Sequence, residues 1–224
     1  MSPADPLLAA PQASPQAKRR AARIFAALAK AYPEAHCKLD FESPFQLLAA
    51  TILSAQCTDK MVNRATPALF KAYPDAAALA KAPGAKVEAC IRSLGLFRAK
   101  ARSLVGMAQG LLARHGGQVP RTREELVQLP GVGRKTANVV LSNAFGLPGL
   151  AVDTHVLRVG RRLGLLKSED AVKAEGELCA QLPPKLWGSA SHWLIWHGRR
   201  ICSARQPRCG ECVLKKTCPS VGLG

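Results

Sequence analysis

An α-rich fold is predicted by three features of the 224-residue chain. Ala and Leu, both strong helix formers, are its commonest residues, and no stretch alternates convincingly as a strand. Pro and Gly punctuate a series of apolar patterns at helical spacing. Residues 1–17 carry Pro3, Pro6, Pro11 and Pro15 and are expected to be a disordered leader. From Lys18 the pattern turns helical, with Ile24, Ala27 and Leu28 on one stripe, and it stops at Tyr32-Pro33. Ser43-Pro44-Phe45-Gln46 joins an N-cap, a first-turn Pro and a capping-box Gln, which predicts a buried helix running toward Gln56. Further helices are expected at about 60–72, 76–82, 85–93 and 98–114. Thr122 and Glu125 form a second capping box, and Ser168 is expected to open a later helix rich in Glu and Lys.

Charge points to a partner. Lys and Arg number 32 against 15 Asp and Glu, a formal net charge of +17, in a chain whose 48% hydrophobic content is ordinary for a globular protein. Basicity of this kind describes what the surface meets, and nucleic acid is the expected partner. From Ile91 to Arg123 every charged residue is Arg or Lys. No apolar run approaches the roughly 18 residues of a membrane helix, and the first residues lack the pattern of an export signal. A cytoplasmic location with no membrane partner is therefore expected, and the eight cysteines are read as thiols or metal ligands rather than disulfides.

Three motifs carry chemistry. Leu129-Pro130-Gly131-Val132-Gly133-Arg134-Lys135-Thr136 lies between a capped helix and an apolar helical pattern, which makes it a helix-hairpin-helix. Its two glycines would permit positive φ and close backbone approach, and the next helix would offer unpaired N–H groups and a positive dipole end to a phosphate. Lys135 could pair with phosphate like Arg134. Alternatively, beside other cations, a helix N-terminus and partly desolvated, it would become available as a free amine nucleophile. Asp153, in Val152-Asp153-Thr154-His155, is placed to cap a helix and, held ionised there, to stabilise a developing positive charge. Finally, Cys202, Cys209, Cys212 and Cys218 are spaced C-x6-C-x2-C-x5-C, a strong metal signal that suits zinc or a [4Fe-4S] cluster. The adjacent Arg199, Arg200, Arg205, Arg208, Lys215 and Lys216 would offset thiolate charge and face phosphates. Cys37, Cys57, Cys90 and Cys179 are read as buried small apolar residues, and His192, Trp193, Trp196 and His197 as core.

Ser54-Ala55-Gln56, the hairpin, Val152 to His155 and the four-cysteine loop occur in an order that resembles the endonuclease III family of DNA glycosylases, over about residues 37 to 218. The resemblance implies an all-α protein of two lobes. One would be a six-helix barrel with the helix-hairpin-helix, residues 37–147; the other, residues 18–36 and 148–224, would be a helical lobe carrying a [4Fe-4S] cluster loop. It also implies a cytoplasmic, nucleoid-associated monomer acting on double-stranded DNA that contains oxidised pyrimidines or abasic sites. Lys135 would be the catalytic nucleophile and Asp153 the assisting carboxylate. Gln56 would fill the space of a flipped nucleotide and Leu96, in Leu94-Gly95-Leu96-Phe97, would wedge beside the opposite base. Gly131, Val132, Gly133, Arg134 and His155 would contact DNA, and the four cysteines would ligate the cluster. Arg161 stands where the family usually has Asn. The rival readings are an adenine or mismatch glycosylase of the same fold and a non-catalytic DNA-binding module; Lys135 together with Asp153 argues against both.

Overall fold

The computed structural model describes residues 12–222. Among these there are eleven α-helices and no strand: α1 (Pro15–Ala31), α2 (Pro44–Leu53), α3 (Asp59–Ala72), α4 (Ala76–Ala80), α5 (Gly84–Cys90), α6 (Phe97–His115), α7 (Arg123–Leu126), α8 (Arg134–Ala144), α9 (Thr154–Arg162), α10 (Ala171–Gln181) and α11 (Trp187–Arg200). The chain divides into two compact units, Cys37–Leu147 and, discontinuously, Met1–His36 with Pro148–Gly224.

Two expectations need correction. The first helix begins at Pro15, not Lys18, because Ser14 caps it by accepting from the Ala17 amide and Pro15 takes the first helical position, where its missing N–H costs nothing. The leader therefore loses residues 15–17 to the helix, and residues 1–11 lie outside the described part. The later helix is capped by Asp170, whose carboxylate accepts from the Val172 and Lys173 amides, whereas Ser168 accepts from the Asp170 amide one turn earlier.

In the Cys37–Leu147 unit, α2 is the innermost helix. Leu47, Leu48, Ala49, Ala50 and Leu53 are all fully buried, and a helix with no polar face must be enclosed on every side. It packs against α3, α6 and α8. Its start follows the sequence closely: Ser43 accepts from the Gln46 amide at 3.2 Å, and the Gln46 side chain accepts from the Glu42 amide at 2.8 Å. The helix stops at Leu53, three residues before the expected end.

The other unit is built from α1, α9, α10 and α11, with α11 packed on both α9 and α1. Ile24, Leu28, Val156, Val159, Leu178 and Leu194 fill its core. The cysteine loop has little apolar substance of its own, Leu214 excepted, and is held by arginines from distant helices. Arg162 donates to the carbonyls of Ser203 (2.6 Å) and Ala204 (2.9 Å). Arg158 donates to those of Gly198 (3.0 Å) and Cys202 (3.0 Å), and Arg20 to that of Thr217 (3.0 Å).

Burial pushes His192 from an ordinary value of 6.5 down to about 4, with nearby His36 adding to the effect. A base depressed on folding stays neutral in the native state while the unfolded chain takes up the proton first. Its contribution is thus fully present above pH 6.5 and is lost as the pH falls toward 4. Thermal melts across this window should show falling stability, and His192→Gln should flatten the profile by up to about 3 kcal/mol, the equivalent of the shift. An identical pH profile in the variant would remove His192 from the account.

Candidate functional site

Within the Cys37–Leu147 unit the sequence motifs converge on three turns. The first follows α2. The Ser54 hydroxyl donates to the Thr51 carbonyl at 2.8 Å and the Cys57 amide returns to the Ser54 carbonyl at 3.1 Å, so the chain curls tightly off the helix end. Gln56 sits exposed in this turn, outside the helix, at φ 54°. The second turn precedes α6, where Leu96 is the N-cap residue, 59% exposed, at φ 58°. Gln56 and Leu96 are the only non-glycine residues with positive φ among those described. Left-handed backbone costs an L-residue about 1–2 kcal/mol, and such strain gathers where a surface is shaped for a task.

A residue the motifs did not single out joins these two turns. Lys100, one helical turn after Leu96, is 5% exposed and its ammonium lies 3.0 Å from the Cys57 thiol, next to Gln56. Cys57, Cys37 and Cys90 pack against the core as small apolar residues but are half-buried rather than buried, Cys57 being engaged as well, and Cys179 is buried in the other core as expected. Lys100 had appeared only as one member of a basic run.

The third turn is the hairpin between α7 and α8. Of its glycines only Gly131 has positive φ, at 77°, and a Cβ there would lie 2.7 Å from that of Ser103 on α6. Gly133 has φ −93° and open space around it, so the fold does not need glycine there. It is the N-cap of α8 and supplies no side-chain cap to the amides of the first turn. Uncapped amides with the helix dipole behind them are an arrangement that suits an anion. Val132 turns inward at 6% exposed, anchoring the turn, while Arg134 is half-buried. Lys135 is exposed, not partly desolvated as expected, and makes no hydrogen bond or ion pair among the described residues.

The other unit holds the remaining residues. Asp153 caps α9, its Oδ1 accepting from the Val156 amide at 2.8 Å, and its second oxygen has no partner among the described residues. His155 lies half-buried with Nδ1 3.1 Å from the Arg158 guanidinium. Arg161 pairs with Glu169 at 2.6 Å. Cys202, Cys209, Cys212 and Cys218 are unbridged and line one cavity together with Arg162 and His197. Burial pushes the Cys212 thiol up, a hydrogen bond from the Leu214 amide works against this, and the other three cysteines push it up further. A Cys212 thiol opposed in this way by its neighbours calls for a cationic group to hold it. Among the described residues, no three His, Cys, Asp or Glu side chains converge as tightly as a single bound ion demands.

The basic residues around this loop are used differently from the expectation. Arg200 bonds Glu34 at 3.0 Å and stacks over the Trp196 ring at 4.2 Å, and Arg208 bonds Glu211 at 3.0 Å. The contact with a cysteine sulfur comes instead from α9, where Arg162 Nη1 lies 3.5 Å from Cys202 Sγ. Arg158 and Arg162 share a helix face at i, i+4 spacing, the one sequence signal that could have found them.

Residues 49–184 match the family described as "HhH-GPD superfamily base excision DNA repair protein". The chain is 52% identical to endonuclease III of Synechocystis sp. over 91% of its own length and 93% of that protein's. It is 41% identical to endonuclease III of Escherichia coli, over 90% and 95% of the two chains. It is also similar to the solved structure of a trapped endonuclease III–DNA covalent intermediate, with TM-score 0.86 and 44% identity, covering 90% of this chain and 95% of that one.

The two hairpin glycines should separate in experiment. Gly131→Ala is expected to lower the melting temperature, since left-handed strain of about 1–2 kcal/mol adds to the Ser103 clash. Gly133→Ala should melt like the parent yet lose affinity about equally for damaged and undamaged duplex, because a phosphate-directed turn carries no base information. A loss confined to damaged DNA would place Gly133 in a lesion pocket instead. At the second turn, Leu96→Gly removes a side chain that is 59% exposed and relieves its strain, so it should melt no lower than the parent. A clear drop in melting temperature would mean that Leu96 is packed for stability.

Proposed function

The chain belongs to the endonuclease III family of the HhH-GPD superfamily and is a DNA glycosylase of base excision repair, and we propose that it removes oxidised pyrimidines from duplex DNA and then cleaves the strand through a Schiff base at Lys135. The observation that carries this reading is the exposed, unpartnered Lys135 amine on the first turn of α8, beside amides left uncapped for phosphate. A lysine kept only to neutralise phosphate would serve anywhere on the rim. One set beside amides that suit a phosphate fits attack on a sugar carbon, and a protein 44% identical to this chain has been captured in covalent union with DNA.

In the proposed reaction the Nζ lone pair attacks C1′ and the glycosidic bond breaks toward the departing base. The secondary amine then loses a proton as the ring opens to a Schiff base. Removal of a proton from C2′ drives β-elimination, which breaks the bond to the 3′ phosphate. Asp153 serves the cationic stage, since one of its oxygens is committed to the helix start and the other is left for the developing positive charge. Gln56 and Leu96 replace stacking lost when the nucleotide leaves the helix, Gly131 to Arg134 fix register through phosphates, and His155 contacts the backbone.

The four-cysteine cavity fits a [4Fe-4S] cluster better than one zinc ion. All four thiols line the same space, and the resemblance to the endonuclease III family favours the cluster. Cys202, Cys209, Cys212 and Cys218 would hold it. The cluster would supply the positive charge that the thiolates require.

Borohydride trapping on duplexes carrying thymine glycol, 5,6-dihydrouracil, an abasic site, 8-oxoguanine or a mismatch tests the assignment. Covalent product is expected with the first three, and product with the mismatch alone would overturn the substrate class. Lys135→Gln keeps the amides but removes the nucleophile, so it should bind DNA and trap nothing. Asp153→Asn should keep the cap and the melting temperature while base excision falls by roughly 100-fold, equivalent to a few kcal/mol of transition-state stabilisation. Excision by Asp153→Asn at the parental rate would reduce Asp153 to a cap.

A further inference from the structure

We propose that His197, held by Tyr32, is a positioning residue for the redox state of the cysteine-bound cluster: its Nε2–H donates to the Cys212 sulfur, and the Tyr32 hydroxyl fixes the tautomer that allows this. The inference rests on the cluster reading above and concerns residues that the repair chemistry does not use.

His197 is 1% exposed, on α11, and both ring nitrogens are engaged. Nε2 lies 3.5 Å from Cys212 Sγ and Nδ1 lies 2.9 Å from the Tyr32 hydroxyl, which comes from the end of α1. A neutral imidazole carries one N–H and the Tyr32 hydroxyl one O–H. Two arrangements of that single imidazole proton are available. With the proton on Nδ1, the Nε2 lone pair would face a metal-bound thiolate, which can only accept, and the Tyr32 O–H would lose the one acceptor it has among the described residues. With the proton on Nε2, Tyr32 donates to Nδ1 and His197 donates to sulfur, and every group is satisfied.

Donors to ligand sulfurs stabilise the more electron-rich state of an iron–sulfur cluster and so raise its potential. Cys212 would then have two, His197 and the Leu214 amide at 3.4 Å, while Cys202 has Arg162. The Leu214 donor is local to the loop. The His197 donor is set from another helix, which lets a residue near the chain's start act on the electronics of a loop near its end.

The test uses full-length, iron-loaded protein, with iron content, melting temperature and the reduction potential by film voltammetry measured for each variant. Tyr32→Phe should keep its iron and its cluster absorbance. Its oxidised-to-reduced ratio at a fixed potential should rise by about tenfold, a shift of about 59 mV to lower potential for one electron. His197→Leu should shift at least as far the same way, and His197→Gln, whose amide keeps a donor near Nε2, should lie closer to the parent. Tyr32→Phe with full iron and the parental potential, or with a shift to higher potential, overturns the inference. Loss of iron in Tyr32→Phe also overturns it, because the pair would then be a strut for the loop. Parent protein that binds no iron would instead overturn the cluster reading itself.

Discussion

The burial of α2 on every side governs the Cys37–Leu147 unit. Phe45 to Leu53 offers no polar face, so α3, α6 and α8 must surround it, and its own C-terminus must reach the surface in few residues. The turn of Ser54 to Cys57 makes that exit. It presents Gln56 outward in left-handed backbone, and Lys100 reaches across from α6 to hold Cys57. A buried ammonium is costly unless satisfied, so this contact makes the Gln56 turn and the Leu96 turn mutually dependent. Strain of this sort persists only where the surroundings over-determine it, and here the enclosing helices do so.

The second unit obeys a different constraint. A loop of short spacings with many charged residues cannot bury enough apolar surface to fix itself. Its backbone carbonyls are instead taken up by Arg158, Arg162 and Arg20, whose planar forks satisfy several acceptors each. Arginines that might have been assigned to a ligand are thereby committed to holding the loop.

The hairpin divides its two glycines between fold and proposed function. Gly131 is required by conformation and by Ser103, whereas Gly133 is required by neither and leaves the amides of α8 bare. On the proposed reading one glycine serves the protein and the other its ligand. Lys135 follows on the same turn, so one element would fix both DNA register and the proposed nucleophile. Asp153 carries a cap and a spare oxygen at once, and a carboxylate can do both because its two oxygens are separately addressable.

Much of this was determined by sequence alone. Capping residues at Ser43, Thr122 and Asp153 set helix starts through bonds of three-residue reach, and the hairpin octapeptide and the cysteine spacing are equally local, so they can be read without a fold. The same locality explains the misplaced starts: Ser14-Pro15 and Asp170 are also caps, passed over in favour of Lys18 and Ser168. What only the tertiary structure decided are contacts between residues far apart in the chain. Lys100 with Cys57, Arg162 with Ser203, Tyr32 with His197, and His197 with Cys212 lie 43, 41, 165 and 15 positions apart, in that order. No period or spacing encodes such pairs. They exist because polar groups enclosed by packing must find partners, and which groups are enclosed together is settled only when the helices have packed.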